Sequence, residues 1–111
     1  MAVTASPEAS LLFAARVLQT AADQAEADTH AGRTSFFTEA GVKVLLWLCA
    51  SLAPEDGDLT GASGDGQPLR VLLQEAETEL RRFPIGDYPA GTIDVVVGLC
   101  DLIRGTRGKP T

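Results

Sequence analysis

Apolar residues return every three or four positions along most of this chain, the period of a helix with one buried face. Leu11, Ala14, Leu18, Ala21 and Ala25 form the first stripe. Leu12, Ala15 and Ala22 widen it, and Arg16, Gln19, Asp23 and Glu26 occupy the polar side. Ser6-Pro7-Glu8 reads as a helix start, because a serine caps free amides, proline suits the first turn and an early glutamate complements the dipole. Gly32 is a natural stop, so the spacing predicts a helix over 7–30. Ser35 caps a second helix predicted over 36–53, where Pro54 forbids continuation. Phe37, Ala40, Val44, Trp47 and Leu48 form its stripe, and Leu45, Cys49 and Leu52 carry apolar character round most of the circumference. Such a helix is central in a core or lies at a subunit interface. With only three other helices to cover it, both roles are expected.

The third predicted helix, 68–83, has the cleanest two-sided pattern. Leu69, Leu72, Leu73, Ala76, Leu80 and Phe83 lie opposite Glu75, Glu79 and Arg82, and Glu77 precedes Arg81 at a favourable four-residue spacing. After a turn containing Pro84 and Pro89 comes the last element, 89–104. Thr92 to Val97 is β-branched enough for a strand. The sequence contains no second strand to pair with it, and Ile93, Val96, Val97, Cys100 and Ile103 recur at helical spacing, so helix is the expectation. Gly91, Gly98 and Gly105 are seven apart, as are Asp94 and Asp101. This edge is read as a solvent face in which the glycines are tolerated or act as caps. The competing reading is a close approach by another element, which would offset the helix propensity the glycines lose, roughly 1 kcal/mol each against alanine.

The pattern thus predicts an all-α fold: a small up-down four-helix bundle in one domain, 1–111, that also dimerises through the second helix. Helices one and two, and three and four, are expected to be antiparallel neighbours, with the two hairpins joined by an acidic Gly-rich loop over 54–67 and a basic tail at 105–111. Composition agrees. Of 111 residues 45% are apolar but only 5% aromatic, so Ala, Leu and Val must fill the interior. The net charge of −6, from 15 acidic and nine basic residues, is the wrong balance for phosphate neutralisation, so direct nucleic-acid binding is not expected. Arg104, Arg107 and Lys109 form the only basic concentration and read as a solubilising end. The N-terminal apolar stretch is broken by Arg16 and lacks an early positive charge, and the run Val42 to Ala53 is too short to span a bilayer. A cytoplasmic protein with no membrane partner is expected.

Candidate chemistry is sparse. Asp56, Asp58, Thr60 and Gly61 match half of an EF-hand loop, but Ser63 and Gln67 stand where an apolar residue and a bidentate glutamate are needed. His30, the sole histidine, has Glu26 one turn before it and Asp28 nearby. That pair is the weak metal candidate, and a small metal-dependent or dimeric helical enzyme centred on Glu26 and His30 is the alternative reading. Its Glu-x-x-x-His spacing occurs once, whereas di-metal bundles use several carboxylates with Glu-x-x-His pairs. Cys49 and Cys100 sit on apolar stripes away from His30 and read as small hydrophobes, with a Cys49–Cys100 bridge left open under oxidation. Gly64-Asp65-Gly66 lacks the Lys-Ser/Thr of a phosphate loop. No cofactor and no catalytic residue is assigned.

The aromatics Phe36, Phe37, Trp47, Phe83 and Tyr88 fall near helix ends or turns, and Trp, Tyr and Arg are favoured interface anchors. Arg81, Arg82, Phe83 and Tyr88, with Trp47, are the expected partner-binding residues, although Trp47 also suits the core. The function expected is that of a non-enzymatic interaction module: an adaptor, regulator, inhibitor or antitoxin-like protein whose acidic surface occupies a basic groove. A self-assembling structural subunit held through the second helix is the remaining alternative.

Overall fold

The computed structural model describes residues 6–53 and 68–105, and they fold as four α-helices without a strand. Helix α1 spans Pro7–His30, α2 Phe36–Leu52, α3 Leu69–Leu80 and α4 Thr92–Gly105, with a 3-10 turn at Ile85–Asp87 between the last two. The acidic loop with its half-matched calcium motif and the tail beyond Gly105 lie outside the described residues.

The caps read from the sequence are formed. Ser6 Oγ accepts a hydrogen bond from the Ala9 amide at 3.1 Å, and Ser35 Oγ accepts one from the Thr38 amide at 3.1 Å. Gly32 ends α1 at φ +78°: its amide donates to the Thr29 carbonyl and the Arg33 amide to that of Asp28, the paired bonds of a Schellman motif. Two boundaries differ from expectation by more than one residue. Helix α3 stops at Leu80, because Phe83 precedes Pro84 and is pushed out of helical conformation, so the chain is already turning at Arg81. Helix α4 begins at Thr92, because Gly91 sits at φ +100°.

Helix α1 packs on α2 and α3, and α4 packs on the same two. In cross-section the order is therefore α1, α2, α4, α3, with α1 and α4 on one diagonal. The interior is aliphatic. Leu11, Leu18, Leu72, Leu73, Leu80 and Leu99 are fully buried, and Ala14, Ala15, Ala21, Ala22 and Ala25 line α1 at 0–3% exposure. Alanines at these contacts let helices approach closely. The stripes read for α1 and α3 are the buried ones, except that Leu12 and Phe83 are only partly covered.

The stripes read for α2 and α4 are corrected. Helix α2 turns Val42, Leu45 and Cys49 inward, leaving Phe37, Val44 and Trp47 of the expected stripe exposed. Helix α4 buries Val95, Val96 and Leu99 and leaves Ile93 and Val97 half in solvent. Both helices are apolar on more than one side, so periodicity defines a stripe without saying which stripe faces the neighbours. The α2–α4 contact selects it. A Cβ placed on Gly98 would fall 2.6 Å from Leu45 Cδ2, and one on Gly41 3.0 Å from Leu102 Cδ2. Gly98 is thus a close-approach position and not part of an outward edge, whereas Asp94 and Asp101 are exposed as expected.

Candidate functional site

Two outward apolar surfaces stand out on this framework, and both arise from the helices with excess apolar character. The first is the outer side of α2, where Phe36 is 68%, Phe37 85%, Val44 54% and Trp47 70% exposed. Monomeric proteins seldom leave large aromatic groups together in water. The only charges on α2 are Glu39 and Lys43. Glu39 is buried, its carboxylate 2.7 Å from the Lys43 ammonium, which also lies 3.8 Å from Glu26 of α1. The Lys43 hydrogen bond holds the Glu39 carboxyl below its usual pKa, outweighing the upward push of burial, and the same bond raises the pKa of Lys43. The outer face therefore carries no uncompensated charge.

The second surface is a groove of about 510 Å³ between the end of α3 and the length of α4. Phe83, Ile85, Ile93 and Val97 give it apolar walls, with Arg81 and Arg104 at its rim. Arg81 Nε donates to Glu77 at 2.8 Å, and the same Glu77 oxygen accepts from the Cys100 thiol at 3.2 Å, a polar clasp that ties α3 to α4. A smaller apolar groove of about 320 Å³ lies over the α2–α4 seam between Val44, Gly41 and Gly98. Asp101, an exposed carboxylate 3.6 Å from Arg104, borders both grooves and stands between them.

Of the residues singled out as partner-binding, the structure brings Arg81 and Phe83 together in the α3–α4 groove. Arg82 turns to Glu79 at 3.4 Å, and Trp47 lies on α2. Tyr88 departs from the expectation of an exposed anchor. It is 7% exposed, packed edge-on against Phe83 with ring centroids 6.3 Å apart, because the turn folds its ring back onto the bundle. Its hydroxyl is buried without a hydrogen-bond partner, and burial raises its pKa against a smaller opposing pull from the Ser10 hydroxyl and the Phe83 backbone nearby. The buried Ser10 instead donates to Glu79 at 3.1 Å, joining α1 to α3. The sequence pattern assigns Ile93 and Val97 to the core, yet they line the groove. The signal that points to them is the surplus of apolar positions on α4.

The weak metal pair is not assembled. His30 Nδ1 sits 2.9 Å from the Glu26 carbonyl, while the Glu26 carboxylate points to Lys43. Among the described residues no three His, Cys, Asp or Glu side chains are grouped to hold an ion. Both cysteines are free. Cys49 is buried with its sulfur 3.5 Å from the Leu11 carbonyl, and burial pushes its pKa up to about 12. No helix among the described residues is long and apolar enough to cross a membrane. No family model matches this chain, and no curated protein or solved structure does either.

Proposed function

We propose that this chain is a non-enzymatic, cytoplasmic protein–protein interaction module of the adaptor, regulator or inhibitor kind. Its helices form an up-down bundle that self-associates through α2 and offers the α3–α4 groove to a second protein. The observation that carries the reading is the placement of large apolar side chains on the outside. Phe36, Phe37, Val44 and Trp47 on α2, and Ile93 and Val97 on α4, stand 49–85% exposed on a chain with enough aliphatic material to fill its core without them. Leaving them in water forgoes hydrophobic stabilisation of roughly 1.5–3 kcal/mol per large side chain, which a partner recovers. The short connections 31–35 and 81–91 support antiparallel hairpins, and two free thiols suit a reducing compartment.

The groove suits an apolar anchor side chain, with polar groups that meet the Arg81–Glu77 and Arg104–Asp101 pairs at the rim. Affinity capture from the native cell's lysate tests this with the wild-type chain, Ile93→Glu and Arg81→Glu as baits. A stoichiometric foreign partner retained by the wild type and lost from both variants is the expected result. Return of the chain alone, or equal capture by all three baits, defeats the proposal for the groove.

A further inference from the structure

The outward side of α2 repeats at alternating steps of three and four: Phe37, Ala40, Val44, Trp47 and Ser51. That is the spacing of a two-helix seam, in which the side chains project in one line toward a partner helix. None of the five is buried, and Phe37, Val44, Trp47 and Ser51 are exposed. From Phe37 to Trp47 the order of sizes is large, small, medium, large, and it reads nearly the same from either end. Laid antiparallel against a second copy about a two-fold axis level with Val42, Phe37 stands opposite Trp47 of the other copy and Ala40 opposite Val44. Two smaller residues at the centre allow the helices to approach, and two aromatic pairs close the ends. An interface of this kind is isologous, each contact occurring twice.

We propose that this seam is the interface of a homodimer, with α2 of each copy antiparallel and in that register. The inference rests on the reading of α2 as a self-contact and adds its geometry. Charge supports a second copy over a foreign partner. A chain of net charge −6 would recruit a basic protein through its carboxylates, yet the outward side of α2 exposes none, and Asp101 at its α4 border is paired with Arg104 at 3.6 Å. Glu39 is turned inward, and Lys43 at the seam's edge is held by Glu39 and Glu26. Two acidic copies can meet here without setting unpaired like charges against each other.

The area is that of a small interface. Rings of about 150–250 Å² each, exposed by 68%, 85% and 70%, offer roughly 350–550 Å² from Phe36, Phe37 and Trp47. Over both copies the rings give roughly 700–1,100 Å², and Val44 and Ala40 add to this, reaching the ~1,200 Å² at the lower end of specific interfaces.

Light scattering on size-exclusion fractions of the full chain tests the proposal. The wild type is expected at twice 11.6 kDa, and Phe37→Glu and Trp47→Lys are each expected at the monomer mass with unchanged helical circular dichroism. An equimolar mixture of the two variants is expected to return to the dimer mass. The antiparallel register sets the introduced carboxylate of one variant against the introduced ammonium of the other, and it preserves one Phe37–Trp47 pair. A wild type that stays monomeric at high concentration overturns both the inference and the self-contact reading. A dimer that neither substitution disrupts overturns α2 as the interface, and variants whose mixture remains monomeric overturn the antiparallel register. Capture of a groove partner by Phe37→Glu keeps the groove proposal separate from either result.

Discussion

Leu45 fills the space that a side chain at position 98 would need. A Cβ on Gly98 falls 2.6 Å from Leu45 Cδ2 and 3.3 Å from Cδ1, and Leu45 is itself 6% exposed and cannot swing into solvent. Alanine in place of a helical glycine normally gains about 1 kcal/mol, but overpacking a tight contact costs about 1–3 kcal/mol. Gly98→Ala is therefore expected to lower stability by up to about 2 kcal/mol in urea unfolding. Gly41→Ala, whose neighbour Leu102 is only half-buried and can yield, is expected to range from neutral to about 1 kcal/mol stabilising. A Gly98→Ala variant more stable than the wild type would show that the α2–α4 seam is loose.

The Glu39–Lys43 pair gives a defined pH window. Glu39 has its folded pKa lowered, so its contribution is present above the unfolded value of ~4.3 and is lost as pH falls through the folded value. Lys43 has its folded pKa raised, so its contribution is present below the unfolded value of ~10.4 and is lost as pH rises through the folded value. The stability difference between wild type and Glu39→Gln is expected to be flat from about pH 5 to pH 10 and to shrink outside that range. Denaturant midpoints across pH would read this, and a difference that grew toward acid would contradict the assignment.

Tyr88 holds a buried hydroxyl that makes no well-formed hydrogen bond, with the Ser10 hydroxyl and the Phe83 backbone nearby. An unsatisfied polar group of this kind costs about 1–3 kcal/mol. Tyr88→Phe keeps the ring against Phe83 and removes the hydroxyl, so it is expected to raise stability by about 1 kcal/mol. A loss of similar size in thermal melting would mean that the hydroxyl is bonded in solution.

The two thiols should differ in reactivity. Cys49 is fully buried with its pKa pushed up to about 12, so it presents almost no thiolate at neutral pH. Cys100 is partly accessible, with its sulfur between Glu77 and Arg81. Titration of the native protein with an aromatic disulfide is expected to modify Cys100 alone, with Cys49 released only by denaturant. Rapid labelling of Cys49 in the folded state would contradict its burial.

The all-helical fold is legible in the sequence where a helix has one apolar and one polar side. In α3, Leu72, Leu73, Ala76 and Leu80 have no competing stripe, and they are the buried residues. In α2 the sequence offers two stripes, Val42–Leu45–Cys49 and Phe37–Val44–Trp47, and nothing local distinguishes them. The choice is made by Gly41 and Gly98, whose meaning depends on Leu102 and Leu45, distant in the chain. Of the apolar surface, the α4 part, Ile93 and Val97, is hidden for the same reason, since the pattern assigns both to the core, whereas the α2 part is legible in a helix apolar round most of its circumference. Arg81 and Phe83 are visible because a basic pair beside an aromatic at a helix end is a local signal. Tyr88, between prolines in a turn, gives no sign that its ring folds back inside.

The alanine-lined face of α1 also shapes how this protein responds to heat and to change. Ala14, Ala15, Ala21, Ala22 and Ala25 have no rotamers to freeze, so ordering them costs little side-chain entropy. They also supply little hydrocarbon per residue, which favours a heat capacity of unfolding at or below the usual ~12–15 cal/mol/K per residue and a flatter stability curve. A face so poor in rotatable groups has few ways to resettle around an altered neighbour. The capacity of this chain to acquire new contacts therefore resides in the outward sides of α2 and α4.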